Sequence, residues 1–180
     1  MPLSKEQKYT AEEFFKLVPE TNESYELING EIVAQAAPSI LHQTISGEVS
    51  FALRDHIKKK KGGCKVFEAP TDVKLSEDTV VQPDILVICD SSKIDEKHIN
   101  GAPDLIIEIA SGNSYLDYSY KLDLYRNSGV REYWIIDPKS ERTVVYLFGD
   151  RAEVNIYTFD KPIPVGIYGG EISIAVAELM

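Results

Sequence analysis

The six residues Leu105-Ile106-Ile107-Glu108-Ile109-Ala110 are apolar at both alternating sets of positions, apart from one carboxylate. A strand that offers apolar groups to both sides needs cover on both faces, so this segment belongs in the middle of a sheet. Together with an element order of helix, several strands, helix and more strands, that requirement reads as an α/β architecture (α+β with a mixed sheet), in which a central mixed β-sheet is flanked by helices. It also makes Glu108 costly. A carboxylate removed from water needs a cation, a metal or several donors to offset its desolvation. Glu108 is therefore the first candidate for chemistry. Its carboxyl is expected to keep its proton to a higher pH than an ordinary glutamate does.

The chain has 180 residues, enough for one domain of ~150 residues and a small appendage. It reads as a single domain over 1–180, with an N-terminal helix and arm over 1–20 and a C-terminal extension over 160–180. Hydrophobic residues make up 43%, which excludes a wholly disordered chain. No apolar run approaches the ~18 residues of a membrane span, and Met1 to Lys8 contain no apolar signal region. The expectation is a cytoplasmic protein with no membrane partner. The net charge of −10 argues against broad non-specific nucleic-acid binding, which needs many phosphate-neutralising cations. Cys64 and Cys89 match neither a disulfide framework nor a metal-ligand spacing, and are expected as reduced thiols.

Local signals place the remaining elements. Thr10 to Leu17 reads as a short helix, with Thr10 and Glu13 as a capping box and Pro19 as its end. Tyr25 to Val33 reads as a hairpin about Asn29-Gly30. Ser39 to Lys61 reads as a long helix with a stripe of Leu41, Ile45, Val49, Ala52, Leu53 and Ile57. Strands follow at 65–69, 72–75, 81–89 and 104–110, a second helix at 117–128, then strands at 132–137, 143–149 and 153–159 and a last short one near Ile172. Trp134 reads as core, Tyr118 and Tyr125 as packing residues, and Tyr115 and Tyr120 as residues at a cleft mouth. Lys58 to Lys61 form the one strong basic cluster, the place a duplex contact would use.

A second acid stands where a strand begins. Pro83 has no N–H and suits a strand start, which sets Asp84 at the mouth of the run Ile85-Leu86-Val87-Ile88. Two carboxylates on neighbouring buried strands repel each other and call for a cation, and hard oxygen ligands favour Mg²⁺ or Mn²⁺. Lys121 lies four residues after Asp117, on one helix face. A short connection from the Glu108 strand would bring that helix back over the acids.

These segments resemble a known family. YELINGEIV (25–33), PSILHQTI with His42, EAPTDVKL (68–75), VVQPDILVI, GAPDLIIEIAS (101–111) and DYSYKLDLYRNSGVREYWIIDP (117–138) together resemble the Uma-two family of restriction-endonuclease-like proteins, within the PD-(D/E)xK nuclease superfamily. The likeness runs from residue 9 to about residue 150. It implies a restriction-endonuclease-like core and a metal-dependent phosphodiesterase site. Asp84 matches the Pro-Asp aspartate and Glu108 the acid of the (D/E)xK element. Ala110 stands where that element has lysine, and Lys121 takes the displaced lysine's place on the next helix. Ser111-Gly112-Asn113-Ser114 departs from the Ser-Pro-Ser-Thr-like run of relatives. The implied roles are Mg²⁺, with Mn²⁺ as substitute, on Asp84, Glu108 and the Ile109 carbonyl, and Lys121 beside the attacking water. Glu31 and His42 occupy recurrent family positions as supporting residues, Glu31 as an extra ligand or base, and Asp117 accompanies Lys121. The implied activity is Mg²⁺-dependent endonucleolytic hydrolysis of DNA. Cutting both strands with one site per chain would favour a homodimer. The alternatives are a catalytically weak nuclease-fold binding or regulatory protein, and a metal-dependent phosphodiesterase acting on a substrate other than DNA.

Overall fold

A computed structural model describes residues 7–18, 23–111, 115–149 and 151–180, with the side chains of residues 115–117 outside that description. Helix α1 (Ala11–Leu17) opens on Thr10, whose hydroxyl accepts from the Glu13 N–H while Glu13 Oε2 accepts from the Thr10 N–H at 2.8 Å. The reciprocal pair satisfies amides that a helix start leaves orphaned, and Ala11 and Phe14 turn inward onto Leu27 and Val80. Pro19 and residues 112–114 lie outside the described residues. Strands β1 (Tyr25–Ile28) and β2 (Glu31–Ala34) form the hairpin. Asn29 and Gly30 have φ of 48° and 79°, the pair of positive values that a two-residue primed turn requires.

Helix α2 (Ile40–Lys59) is capped by Ser39, whose hydroxyl accepts from the His42 N–H at 3.1 Å. It buries Ile45, Val49, Leu53 and Ile57. Leu41, one turn earlier in the expected stripe, is exposed, because the first turn of α2 borders an open cleft rather than the core. Then come β3 (Lys65–Glu68), β4 (Val73–Ser76), β5 (Thr79–Val81), β6 (Ile85–Ile88), β7 (Ile99–Asn100), β8 (Leu105–Ile109), α3 (Tyr115–Ser128), β9 (Glu132–Asp137), β10 (Arg142–Leu147), β11 (Glu153–Thr158), β12 (Ile163–Pro164) and β13 (Ser173–Ile174).

The principal sheet has the order β11-β10-β9-β8-β6-β3. It is mixed: β8 and β9 run parallel, joined through α3, and its other pairs are antiparallel. Strand β8 lies between β6 and β9 with every residue buried. On one face the α2 stripe meets Ile85, Val87, Ile107 and Trp134. On the other, Tyr125 of α3 meets Leu86, Ile106 and Tyr133. The fold is thus a mixed sheet with helices on both faces.

The structure corrects the expectations for the run 81–89 and for the two cysteines, and agrees with those for the last strand and for Trp134. The run 81–89 is not one strand. It breaks at Gln82-Pro83-Asp84, where β5 ends in a second sheet of order β2-β1-β5-β4-β7 and β6 begins in the principal one. Proline removes a ladder donor there, so the chain can leave one sheet and enter the next. The last strand is β13, paired with β12, and the tail sends Ile163, Val165, Ile174 and Val176 into the core beside α2. Cys64 and Cys89 are joined as a disulfide, not reduced. The pairing of Lys65 with Ile88 sets the two cysteines opposite each other at the strand ends, a proximity created by sheet register and not by chain spacing. Trp134 is buried in the core, and its indole N–H donates to Glu132 Oε1 at 2.7 Å.

Candidate active site

The break at Pro83 and the register of β6 on β8 build the site. Ile85 pairs with Ile107, so Asp84, one residue earlier, comes beside Glu108, one residue later. Directly opposed residues of an antiparallel pair present their side chains to the same face. Asp84 Oδ2 accepts from the Ile109 N–H at 2.7 Å and lies 3.0 Å from His42 Nε2. The N–H and C=O of one strand residue point to the same side, so the Ile109 carbonyl faces the edge on which its amide meets Asp84. The Ile109 side chain points into the core beneath α2.

Glu108 is 5% exposed and Lys121, on α3, is 5% exposed. Lys121 Nζ lies 3.1 Å from Glu108 Oε1 and 3.2 Å from Oε1 of Glu26, which is 2% exposed on β1. Tyr125, one turn after Lys121, donates its hydroxyl to Glu108 Oε1 at 2.7 Å. Glu26 also accepts from the Gln82 N–H at 2.9 Å and from Gln35 Nε2 at 2.8 Å. Two buried acids from different sheets therefore share one lysine. Asp84, Glu108, Lys121 and His42 line a cleft of about 580 Å³.

Burial is the main cause that lifts the Glu108 carboxyl from its usual 4.5 to about 7. Lys121 opposes the rise, while Asp84 and Glu26 add to it. The His42 imidazole is held above its ordinary pKa, chiefly by its hydrogen bond to Asp84. The Tyr125 hydroxyl is pushed well up by burial and by the facing Glu108 charge, so it stays a donor.

The oxygens left over suit a hard cation. Among the described residues, Asp84 Oδ1 and Glu108 Oε2 have no hydrogen-bond partner. Anionic oxygens facing a cleft are donors for Mg²⁺ or Mn²⁺ rather than for softer metals. No group of three or more His, Cys, Asp and Glu side chains that could hold a metal ion occurs among the described residues. Any ion there would need backbone or solvent oxygen as well.

Other residues singled out in the sequence lie elsewhere. Glu31 is largely exposed, pairs with Lys8 at 2.9 Å and does not line the cleft. It sits at the turn end of β2, where the hairpin faces solvent. The acid that enters from this hairpin is Glu26, which sequence reasoning missed. Its signal was available: Glu26 sits in Tyr25-Glu26-Leu27-Ile28 as Glu108 sits in its own apolar strand. Tyr125 was also missed as a polar partner, although it stands four residues after Lys121. Tyr118 lines the cleft, whereas Tyr120 is exposed outside it. The side chains of Tyr115 and Asp117 lie outside the described residues. The basic cluster ends α2, with Lys59 paired to Asp55 and Lys60 to Glu171.

The mixed sheet with helices on both faces is the fold of a "putative nuclease" of solved structure. The chain belongs to the family described as "Uma2: Putative restriction endonuclease", whose model matches residues 11–176. It is similar to a crystal structure described as "a putative nuclease belonging to DUF820" from Anabaena variabilis ATCC 29413, with 26% identity and a TM-score of 0.77. The match covers 94% of this chain and 96% of that one. No curated protein matches the chain. No helix among the described residues is long and apolar enough to cross a membrane.

Proposed function

We propose that the chain is a metal-dependent nuclease that hydrolyses phosphodiester bonds of DNA, with Asp84, Glu108 and Lys121 as its central residues. The observation that carries this reading is the meeting of Asp84 and Glu108 on one face of adjacent strands, with Lys121 bonded to Glu108. Membership of a restriction-endonuclease family supports it. Asp84, Glu108 and the Ile109 carbonyl would hold Mg²⁺ or Mn²⁺. When bound, such an ion supplies Lewis acidity that makes water a usable nucleophile at neutral pH and offsets charge on the phosphate.

The chain's own groups do the rest. His42 and the Ile109 amide fix Asp84 through Oδ2, which leaves Oδ1 of this cleft-lining residue for a further partner. Tyr125 and Lys121 hold Glu108 through Oε1 and leave Oε2 free. Glu26 restrains Lys121 from the other side. Lys121 places its charge where negative charge grows as the water oxygen bonds to phosphorus and one P–O ester bond breaks. One water proton passes to solvent, and a proton from solvent is taken up by the leaving oxygen as its bond to phosphorus breaks.

A second reading, a nuclease-fold binding protein with weak catalysis, is favoured by one observation: Lys121 already supplies a cation to both buried acids. Single-turnover cleavage of labelled DNA with Mg²⁺ and Mn²⁺, alongside calorimetric metal titration, separates the two. Metal-dependent cutting that disappears in Asp84→Ala supports the nuclease. Absence of cutting with either metal hands the site to the binding reading.

A further inference from the structure

The cleft says more about its substrate than that it contains a phosphodiester. We propose that the strand this site takes is unpaired: a stretch of single-stranded DNA, of which a nucleotide or two enters the cleft with its bases against a neutral polar wall. The inference rests on the nuclease reading and deepens it.

Three observations carry it. The first is size. About 580 Å³ falls in the ~300–1,000 Å³ class of pockets that enclose one small ligand. A duplex instead presents a charge every ~1.7 Å of its axis over a long face.

The second is charge. Among the described residues that line the cleft, Lys121 is the one lysine or arginine, and it is buried between Glu26 and Glu108. Glu68 adds a carboxylate to the lining that is paired at 2.7 Å with Arg54, which is not itself among the lining residues. The lysine cluster is no substitute. It ends α2, whose first turn borders the cleft, and the 18 residues from His42 to Lys60 span roughly 27 Å at ~1.5 Å per residue. Two of its lysines are already paired with acids. A duplex is gripped through cationic contacts to several phosphates, and the cleft offers no row of them.

The third is the wall itself. Gln43 and Ser46, three residues apart on α2, line the cleft, and their side chains have no hydrogen-bond partner among the described residues. Tyr118 stands on the α3 side of the same cleft. Amides and hydroxyls bond to the Watson–Crick edges that an unpaired base exposes, and aromatic rings stack on its face. In a duplex both edge and face are occupied.

The test is single-turnover cleavage of one labelled DNA sequence presented as a single strand, as a full duplex and as a duplex with a central unpaired bubble, with the same sequence as an RNA single strand beside them. The assays use Mg²⁺ and Mn²⁺, with fluorescence anisotropy run in parallel. The expected result is cleavage of the single strand and of the bubble at least 10-fold faster than of the duplex. Single-strand affinity should fall with salt on a log–log slope shallower than about −2. Gln43→Ala/Ser46→Ala should weaken single-strand binding several-fold while metal affinity stays unchanged. A duplex cut as fast as the single strand overturns the inference and leaves the nuclease reading standing. An RNA strand cut in preference to DNA overturns the DNA assignment. If nothing is cut, the nuclease reading fails, and anisotropy decides the inference alone: tighter binding of the unpaired strand sustains it, and equal or absent binding ends it.

Discussion

Replacing Glu108 by Gln removes one titrating group and keeps an oxygen to accept from Tyr125 and Lys121. The wild-type carboxyl titrates near 7 in the folded protein and near 4.5 as an ordinary glutamate. Between these values the folded state binds the proton and the unfolded state does not, so stability must fall as pH rises. The contribution is fully present below about 4.5 and lost by the time pH passes about 7. At 1.36 kcal/mol per pH unit, the interval from 4.5 to about 7 is worth about 3 kcal/mol. Relative to wild type, Glu108→Gln should therefore gain stability by about that much between pH 4.5 and 8, with metal removed by chelator. Urea unfolding at half-unit pH steps measures it, and subtracting the two curves cancels the titrations of groups that do not feel Glu108. Adding Mg²⁺ at pH 8 should restore stability to wild type and not to the variant, and metal uptake by wild type near pH 6 should release a proton. A difference curve that stays flat from pH 5 to 8 would refute the burial argument for Glu108.

Lys121→Ala should lose cleavage by on the order of 10²-fold or more yet retain metal binding by calorimetry, whereas Asp84→Ala should lose both. Cutting by Lys121→Ala at the wild-type rate would remove the lysine from the chemistry. Tyr125→Phe deletes a hydrogen bond to a carboxylate and should cost about 1.5–3 kcal/mol in urea unfolding at pH 8, with a smaller loss at pH 4, where Glu108 is neutral. The Cys64–Cys89 bridge closes a span of 25 residues, for which loop entropy gives about 3 kcal/mol. Cys64→Ser/Cys89→Ser should lower the urea midpoint accordingly, and added reductant should do the same to wild type but not to the variant.

The elements legible in the sequence are those whose cause is local. A Thr and a Glu three residues apart satisfy each other's backbone amides, so α1 starts at Thr10 wherever it later packs. Asn29-Gly30 turns the chain because two adjacent residues tolerate positive φ. The burial of β8, and with it the unusual position of Glu108, was equally legible, since apolar residues on both faces admit few alternatives. Asp84 announced itself through the proline before it.

Other features depended on which elements meet. Glu26 and Glu31 are acids of one hairpin and look alike along the chain. Only the packing of β1 beside β5, with α3 above, sends Glu26 to Lys121 and leaves Glu31 with Lys8 in solvent. Lys121 is bonded to acids that lie 95 and 13 residues away in sequence, a meeting that no local spacing announces. The disulfide has the same origin, since the register of β3 on β6 brings together cysteines whose spacing carries no signal. Hydrogen bonds within a turn or a helix cap are decided by neighbours in the chain. The partner of a buried charge is decided by desolvation, which acts on whatever the fold brings within about 3 Å of it.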